Sequence, residues 1–270
     1  MNLGALRIPL LVTSSLLGVI GVLYLASAKI ILSSFAEAER QVIQRDIERV
    51  QEALLNDLAT LDTEAEDYAE WDDTYAFMAN RNAEYVCSNL NDATLDSLQL
   101  NLVALFDSAG QIIFSKGFDL ENSQGIPFPK SLQTHLTPDS LLLQHPNLEN
   151  SPSGIVLLPE GALLIASSPI LTSASEGPSR GSLLMGRYLN TAQQERLADL
   201  TRVSLAIYPF NAAQLPADVQ TVHSFLLNEH RQTFVQPLNP DLIAGYMLLP
   251  DIYGNLALIF RIDAPRDIYH

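Results

Sequence analysis

Apolar positions follow three patterns along this chain. From Ile8 to Ala28 they form one run of 21 residues without a charge. As a helix rising 1.5 Å per residue, such a run spans about 30 Å, the thickness of a hydrocarbon core. From there to about Tyr68, with no Pro or Gly intervening, apolar residues recur at steps of three and four: Ile43, Ile47, Val50, Leu54, Leu58, Leu61, Ala65 and Tyr68. That period predicts one long amphipathic helix, with Glu48, Glu52, Asp57, Glu64, Glu66 and Asp67 on its other faces. A membrane helix that continues directly into a soluble helix is a mechanical lever.

After residue 100 the apolar residues collect in short β-rich runs. Asn101 to Phe106 and Gln111 to Ser115 flank Asp107-Ser108-Ala109-Gly110, a hairpin turn. Five prolines punctuate residues 116–153, which read as a loop carrying two short helical pieces, Lys130–His135 and Asp139–Gln144. A second hairpin, Ile155–Leu158 with Ala162–Ser168, turns at Pro159-Glu160-Gly161. Residues 172–182 read as a Ser/Gly/Pro-rich loop. Then come a strand Leu183–Tyr188, a helix with Asn190 as N-cap, and strands Val203–Tyr208, Thr233–Gln236, Ile243–Leu249 and Leu256–Ile262. Residues 211–232 fit no pattern. The order predicts an α+β fold, a mainly antiparallel sheet with helices on one side.

Charge and targeting narrow the partners. The formal charge is −16, and −18 without residues 1–30, which hold Arg7, Lys29 and no acid. Such a surface repels nucleic acid and anionic lipid headgroups. Arg7 before the span and the acidic segment after it leave the amino terminus in the cytoplasm and the rest outside. A cleaved signal peptide is the rival reading, because Ala26-Ser27-Ala28 resembles a cleavage site; its apolar region would exceed the usual length. The lone Cys87 excludes an internal disulfide and a cysteine-based metal site.

The segment Glu70-Trp71-Asp72-Asp73-Thr74-Tyr75-Ala76-Phe77, followed by Tyr85, Ser88-Asn89-Leu90, Asn101-Leu102-Val103 and Asp107-Ser108-Ala109-Gly110, resembles the CHASE4 family of extracytoplasmic sensory domains. Gly186-Arg187-Tyr188-Leu189, Arg261 and Pro265-Arg266-Asp267-Ile268-Tyr269 are similar too. The likeness is densest over residues 67–110. It implies a Cache/PAS-like sensor between two inner-membrane helices. The output implied is a cytoplasmic diguanylate cyclase, a cyclic-di-GMP phosphodiesterase or a two-component histidine kinase. The division expected is 1–32 for the cytoplasmic end and span, 33–80 for the lever helix, and 81–270 for the periplasmic sensor. His270 falls about where a second membrane helix is expected.

The candidate site is a cluster of Trp71, Asp72, Asp73, Tyr75, Asn101, Arg187 and Tyr188. Trp71 and Tyr75, four apart, share a helix face and could wall a pocket, with an aspartate accepting from an amine or hydroxyl. In the competing structural role, Trp71 plugs the core and the aspartates end a helix and start a turn by bonding backbone amides. Adjacent carboxylates diverge by about 100° on a helix, a poor arrangement for joint acid/base work. Arg187, on an otherwise apolar strand, needs an acid such as Asp72 or Asp73, or an anionic ligand. Asn101 and Tyr188 are polar residues of the same strands, able either to line a cavity or to face solvent. His135, His145, His223, His230 and His270 are scattered, no metal-binding or phosphate-binding motif is present, and no catalytic set or cofactor is expected.

Two readings follow. The first is a homodimeric, membrane-anchored input module for an unknown small molecule; the second is an interaction ectodomain without one. A polar cavity behind Trp71 would favour the first, and a solid core with an exposed apolar patch the second.

Overall fold

The computed structural model describes residues 4–147, 151–229 and 232–266. One helix, α1 (Gly4–Ala69), joins the apolar run to the amphipathic stripe without a break. Leu16, Leu17, Ile20, Leu23, Leu25, Ile30 and Leu32 stand more than half exposed, so none of the described residues covers that part of the helix. It is the one described helix long and apolar enough to cross a membrane.

The lever ends where its apolar period ends, near Tyr68, and short of residue 80, the bound expected for it. Helix α1 stops at Ala69, Trp71 adopts an extended conformation, and α2 (Asp72–Asn80) starts afresh. Asp72 and Asp73 occupy the first turn of α2, where negative charge suits the positive end of the helix dipole. Two short helices follow, α3 (Ala83–Asn89) and α4 (Asp92–Ser97), each capped by an asparagine side chain, Asn82 and Asn91.

Ten strands form two sheets instead of one. The far sheet has the order β3-β2-β1-β6-β5-β4, from β1 (Leu102–Phe106), β2 (Ile112–Asp119), β3 (Gln124–Ile126), β4 (Ser153–Leu158), β5 (Gly161–Pro169) and β6 (Ser182–Tyr188). Helix α5 (Thr191–Thr201) leads to the near sheet, ordered β7-β10-β9-β8, from β7 (Ser204–Pro209), β8 (Thr233–Asn239), β9 (Leu242–Pro250) and β10 (Leu256–Pro265). Every strand pairing is antiparallel. Helix α6 (Ala217–Glu229) lies in the region the sequence leaves unassigned, and residues 139–144 form turns, not a helix. The expected helix Lys130–His135 is present as a 3-10 helix.

Alternation along the strands sorts the cores. Val103, Leu105, Leu164, Ala166, Leu183 and Met185 join the lever stripe in one core. Leu102, Ala104, Phe106, Leu163, Ile165 and Leu184 point the other way, beneath Leu132, Leu136 and Leu142 of the segment after β3. In the near sheet, Met247, Leu258, Phe260 and Ile262 face the lever, while Ala244, Tyr246, Leu248 and Ile259 meet Val219 and Val222 of α6. The stripe therefore packs along both sheets. Ile43 and Ile47, fully buried, lie over Gly245 of β9, where a Cβ would come within 2.8 Å of Ile47 Cδ1.

Candidate functional site

The residues singled out in the sequence do not converge on one region; they separate into three places. At the tip of the lever, the Trp-Asp-Asp-Thr-Tyr segment clasps the loop after β5. Ser173 N–H donates to Asp72 Oδ1 (3.0 Å), and Asp72 N–H donates to Ser173 Oγ (3.1 Å). Arg180 lies over the Tyr75 ring, 3.8 Å from its centroid, and donates to the Tyr75 carbonyl at 2.7 Å. The Tyr75 hydroxyl donates to Pro178 O. Thr74 donates to Tyr68 O and shares a 2.6 Å hydrogen bond with Tyr85. Burial pushes the Tyr85 phenol up to about 12.

Trp71 is not a core plug. It is 37% exposed and stacks on Tyr68, with ring centroids 4.3 Å apart. Asp73 takes no part in the clasp. It lines a polar crevice of about 340 Å³ between α2 and α3, with Asn80, Asn82, Glu84, Ser88 and Asn89. Neither Trp71 nor Tyr75 walls that crevice.

Arg187 forms the second place, and its partner corrects the expectation. It meets neither Asp72 nor Asp73. Its NH1 donates to Asp57 Oδ1 of α1 at 2.5 Å, its Nε to Gln99 O, and its NH2 to Leu98 O. Glu64, about two helical turns beyond Asp57, stands 3.6 Å from NH2. Asp57 Oδ1 also accepts from Arg196 of α5 at 2.7 Å, while Asp57 Oδ2 has no hydrogen-bond partner. One carboxylate thus ties the lever to β6 and to the helix connecting the two sheets. Burial pushes the Glu64 carboxyl up; Arg187 opposes this and Asp57 and Asp67 add to it. The sequence carried a signal for Asp57. It falls three residues after Leu54 and four before Leu61, on the buried stripe and not on the solvated face to which its charge alone assigns it.

Asn101 and Tyr188 form the third. Asn101 Nδ2 donates to Phe118 O, and Tyr188 N–H donates to Asn101 Oδ1 at 2.9 Å. Both line a groove of about 270 Å³ where the far sheet gives way to α5, with Phe118, Asp119, Glu160 and Leu189 around it. Burial, then the charge of Glu160, raises the Tyr188 phenol. Among the described residues no group of three or more His, Cys, Asp or Glu is placed to hold a metal ion.

Two antiparallel sheets strung along one lever helix give this chain its α+β architecture. Residues 53–208 match the family model of the CHASE4 domain, more than half of the sequence. The chain belongs to the CHASE4 domain family. It is 29% identical over 237 residues to the methanogenesis regulatory histidine kinase FilI of Methanothrix harundinacea (strain 6Ac), a match covering 88% of this chain and 26% of that protein. The chain thus spans about a quarter of the length of that curated relative. Among solved structures, the periplasmic domain of Vibrio cholerae LuxQ superposes with a TM-score of 0.52 at 16% identity, over 83% of this chain and 99% of that one. A domain from Vibrio parahaemolyticus assigned to the sensory box/GGDEF family superposes at 0.56 and 11% identity, over 83% and 94%. At such identities the likeness is one of fold.

Proposed function

We propose that this chain is the extracytoplasmic ligand-sensing part of a receptor in the plasma membrane, held there by the first half of α1 and relaying to a cytoplasmic output domain. The carrying observation is a contact between its two ends. Arg266, just past β10, meets Glu39 of α1 through Nε and NH2 at 3.0–3.2 Å, across 227 residues of sequence. The chain therefore rises along the lever, builds both sheets and returns beside the point where the lever leaves the apolar span. A change of shape at either sheet alters the relation between the two segments nearest the membrane.

FilI is a histidine kinase, and that likeness favours a kinase output over a diguanylate cyclase or phosphodiesterase. The groove beside Asn101 and Tyr188 is the place we assign to a small polar ligand, because its floor joins the far sheet to the connecting helix. In this reading the tip clasp and the Arg187–Asp57 pair are structural, and the active form is a homodimer.

Two measurements test this. Alkaline phosphatase fused after residue 266 in a bacterial host is expected to be active and to pellet with membranes; a soluble active reporter would mean the apolar run is a cleaved signal. Thermal melts across a metabolite panel should find a compound that stabilises the wild type and not Tyr188→Ala. A panel without effect, with a protein partner retained, would favour the interaction ectodomain instead.

A further inference from the structure

The two sheets touch at a second place besides the lever. The turn between β9 and β10 reaches up to the far sheet. Ile252 N–H donates to Ile155 O of β4 at 2.8 Å, and the Ile252 side chain packs into the core on the outer face of that sheet. The approach needs a glycine: a Cβ on Gly154 would come within 3.0 Å of Ile252 Cβ and Cγ1. Next to it, the Tyr253 hydroxyl is 3.0 Å from His135 Nδ1, and the two rings stack with centroids 5.6 Å apart.

His135 closes the 3-10 helix Lys130–His135, whose Leu132, with Leu136 just beyond it, is buried in that same outer core. Residues 127–146 are the cover of the far sheet, and His135 belongs to that cover.

The turn itself is stiff. Asp251 Oδ1 accepts from Tyr253 N and Asn255 N at 2.9 and 2.8 Å, and Gly254 supplies the positive φ of +86°. Below it, β9 and β10 pair from Leu256↔Pro250 down to Pro265↔Leu242. Ten residues of β10 span about 33 Å. At the bottom Arg266 N–H donates to Asp241 O, and the Arg266 side chain meets Glu39.

We infer that the β9–β10 hairpin is a rod connecting the cover of the far sheet to the chain's return beside the lever, with Ile252, Tyr253 and His135 as its positioning residues. The inference rests on the sensor reading and adds a route to it. Helix α1 is fastened to both sheets, through Asp57 above and through Ile43 and Ile47 below. A displacement of the cover relative to α1 pushes the hairpin tip. Ladder hydrogen bonds keep the rod's length, so the push arrives as a displacement of Arg266 against Glu39. The tip is held to β4 by the Ile252–Ile155 hydrogen bond and close packing on Gly154, so it follows the far sheet and its cover.

The test is peptide-level hydrogen exchange on the whole membrane-embedded chain, comparing wild type with His135→Ala, Gly154→Val and Tyr253→Phe. His135→Ala and Gly154→Val, both in the far unit, are expected to speed exchange about tenfold at residues 258–266 and 241–245 while leaving α2 to α4 unchanged. Tyr253→Phe keeps the ring stack and should give a smaller change in the same peptides. Faster exchange confined to residues 250–255 would overturn the inference, and so would a uniform rise that includes α2 to α4, which reports general destabilisation. No ligand is needed. A ligand panel without hits therefore counts against the sensor reading alone, and a purely local opening counts against the rod alone.

Discussion

Arg187 on β6 and Asp57 on α1 stand 2.5 Å apart across 130 residues of sequence, each side chain only 5% exposed. The pair lies where the lever crosses the far sheet, and Arg196 closes it from the connecting helix. Replacing Arg187 leaves Asp57 buried with one partner at its edge, itself 55% exposed. Arg187→Met is therefore expected to cost about 3–5 kcal/mol in urea unfolding of the detergent-embedded chain. Adding Asp57→Asn should return part of that loss, since the stranded charge is its main cause. A loss below about 1 kcal/mol would mean Asp57 is satisfied without Arg187.

That pair also marks where the sequence stopped being readable. The period of three and four from Ile43 to Tyr68 specified the lever, and the apolar, β-rich runs with their turn signals specified strands β1, β5 and β6. Neither pattern says which acid a lone arginine will find, because partner choice depends on how α1 crosses β6. The break at Trp71 was legible only in the reading that lets the aspartates end a helix. No Pro or Gly marks a boundary between Glu70 and Phe77, and it is the tertiary clasp to Ser173 and Arg180 that reorients the chain there. One sheet became two because strand runs in sequence carry no record of which strands are neighbours. Asp267, Ile268 and Tyr269, part of the family likeness, lie outside the described residues.

Glu64 gives the fold a pH dependence of definite sign. Its folded carboxyl titrates above the ordinary value of 4.5, burial being the first cause. The folded state therefore holds more protons than the unfolded one between those two values, and stability falls as pH rises through that window. Glu64→Gln removes the effect. Its stability relative to wild type should increase from about pH 4.5 upward until the wild-type group is fully ionised. Thermal melts across that range check it, and a flat difference would show that Arg187 fully offsets the burial of Glu64.

Gly245 sets how closely the lever lies on the near sheet. A valine there would collide with Ile47 and Ile43. Gly245→Val is expected to destabilise by about 1–3 kcal/mol, the usual range for overpacking. Ile47→Ala in the same chain should relieve part of this, a positive coupling measurable by a double-mutant cycle. Additive losses would place the strain elsewhere.

The last prediction concerns how two copies meet. Ile43, Ile47, Val50, Leu54 and Leu61 are at most 4% exposed, so the amphipathic stripe belongs to its own chain and is closed to a partner. The exposed face of α1 offers a different set at steps of three and four: Phe35, Ala38, Val42, Arg45, Arg49, Glu52, Asn56 and Ala59. Its apolar members cluster at the lower end, where Phe35 is 50% and Val42 52% exposed beside a groove lined by Ala38, Ile243, Ala264 and Pro265. Two membrane spans side by side would bring these lower positions together first, since the membrane raises their effective concentration. Single cysteines, introduced after Cys87→Ser, are expected to crosslink in membranes at positions 35, 38 and 42. Crosslinking should weaken beyond position 45 and be absent at 43 and 47. No crosslinking at any exposed position would argue for a monomeric sensor, and efficient crosslinking at 43 or 47 would mean that the lever leaves its own sheets to pair.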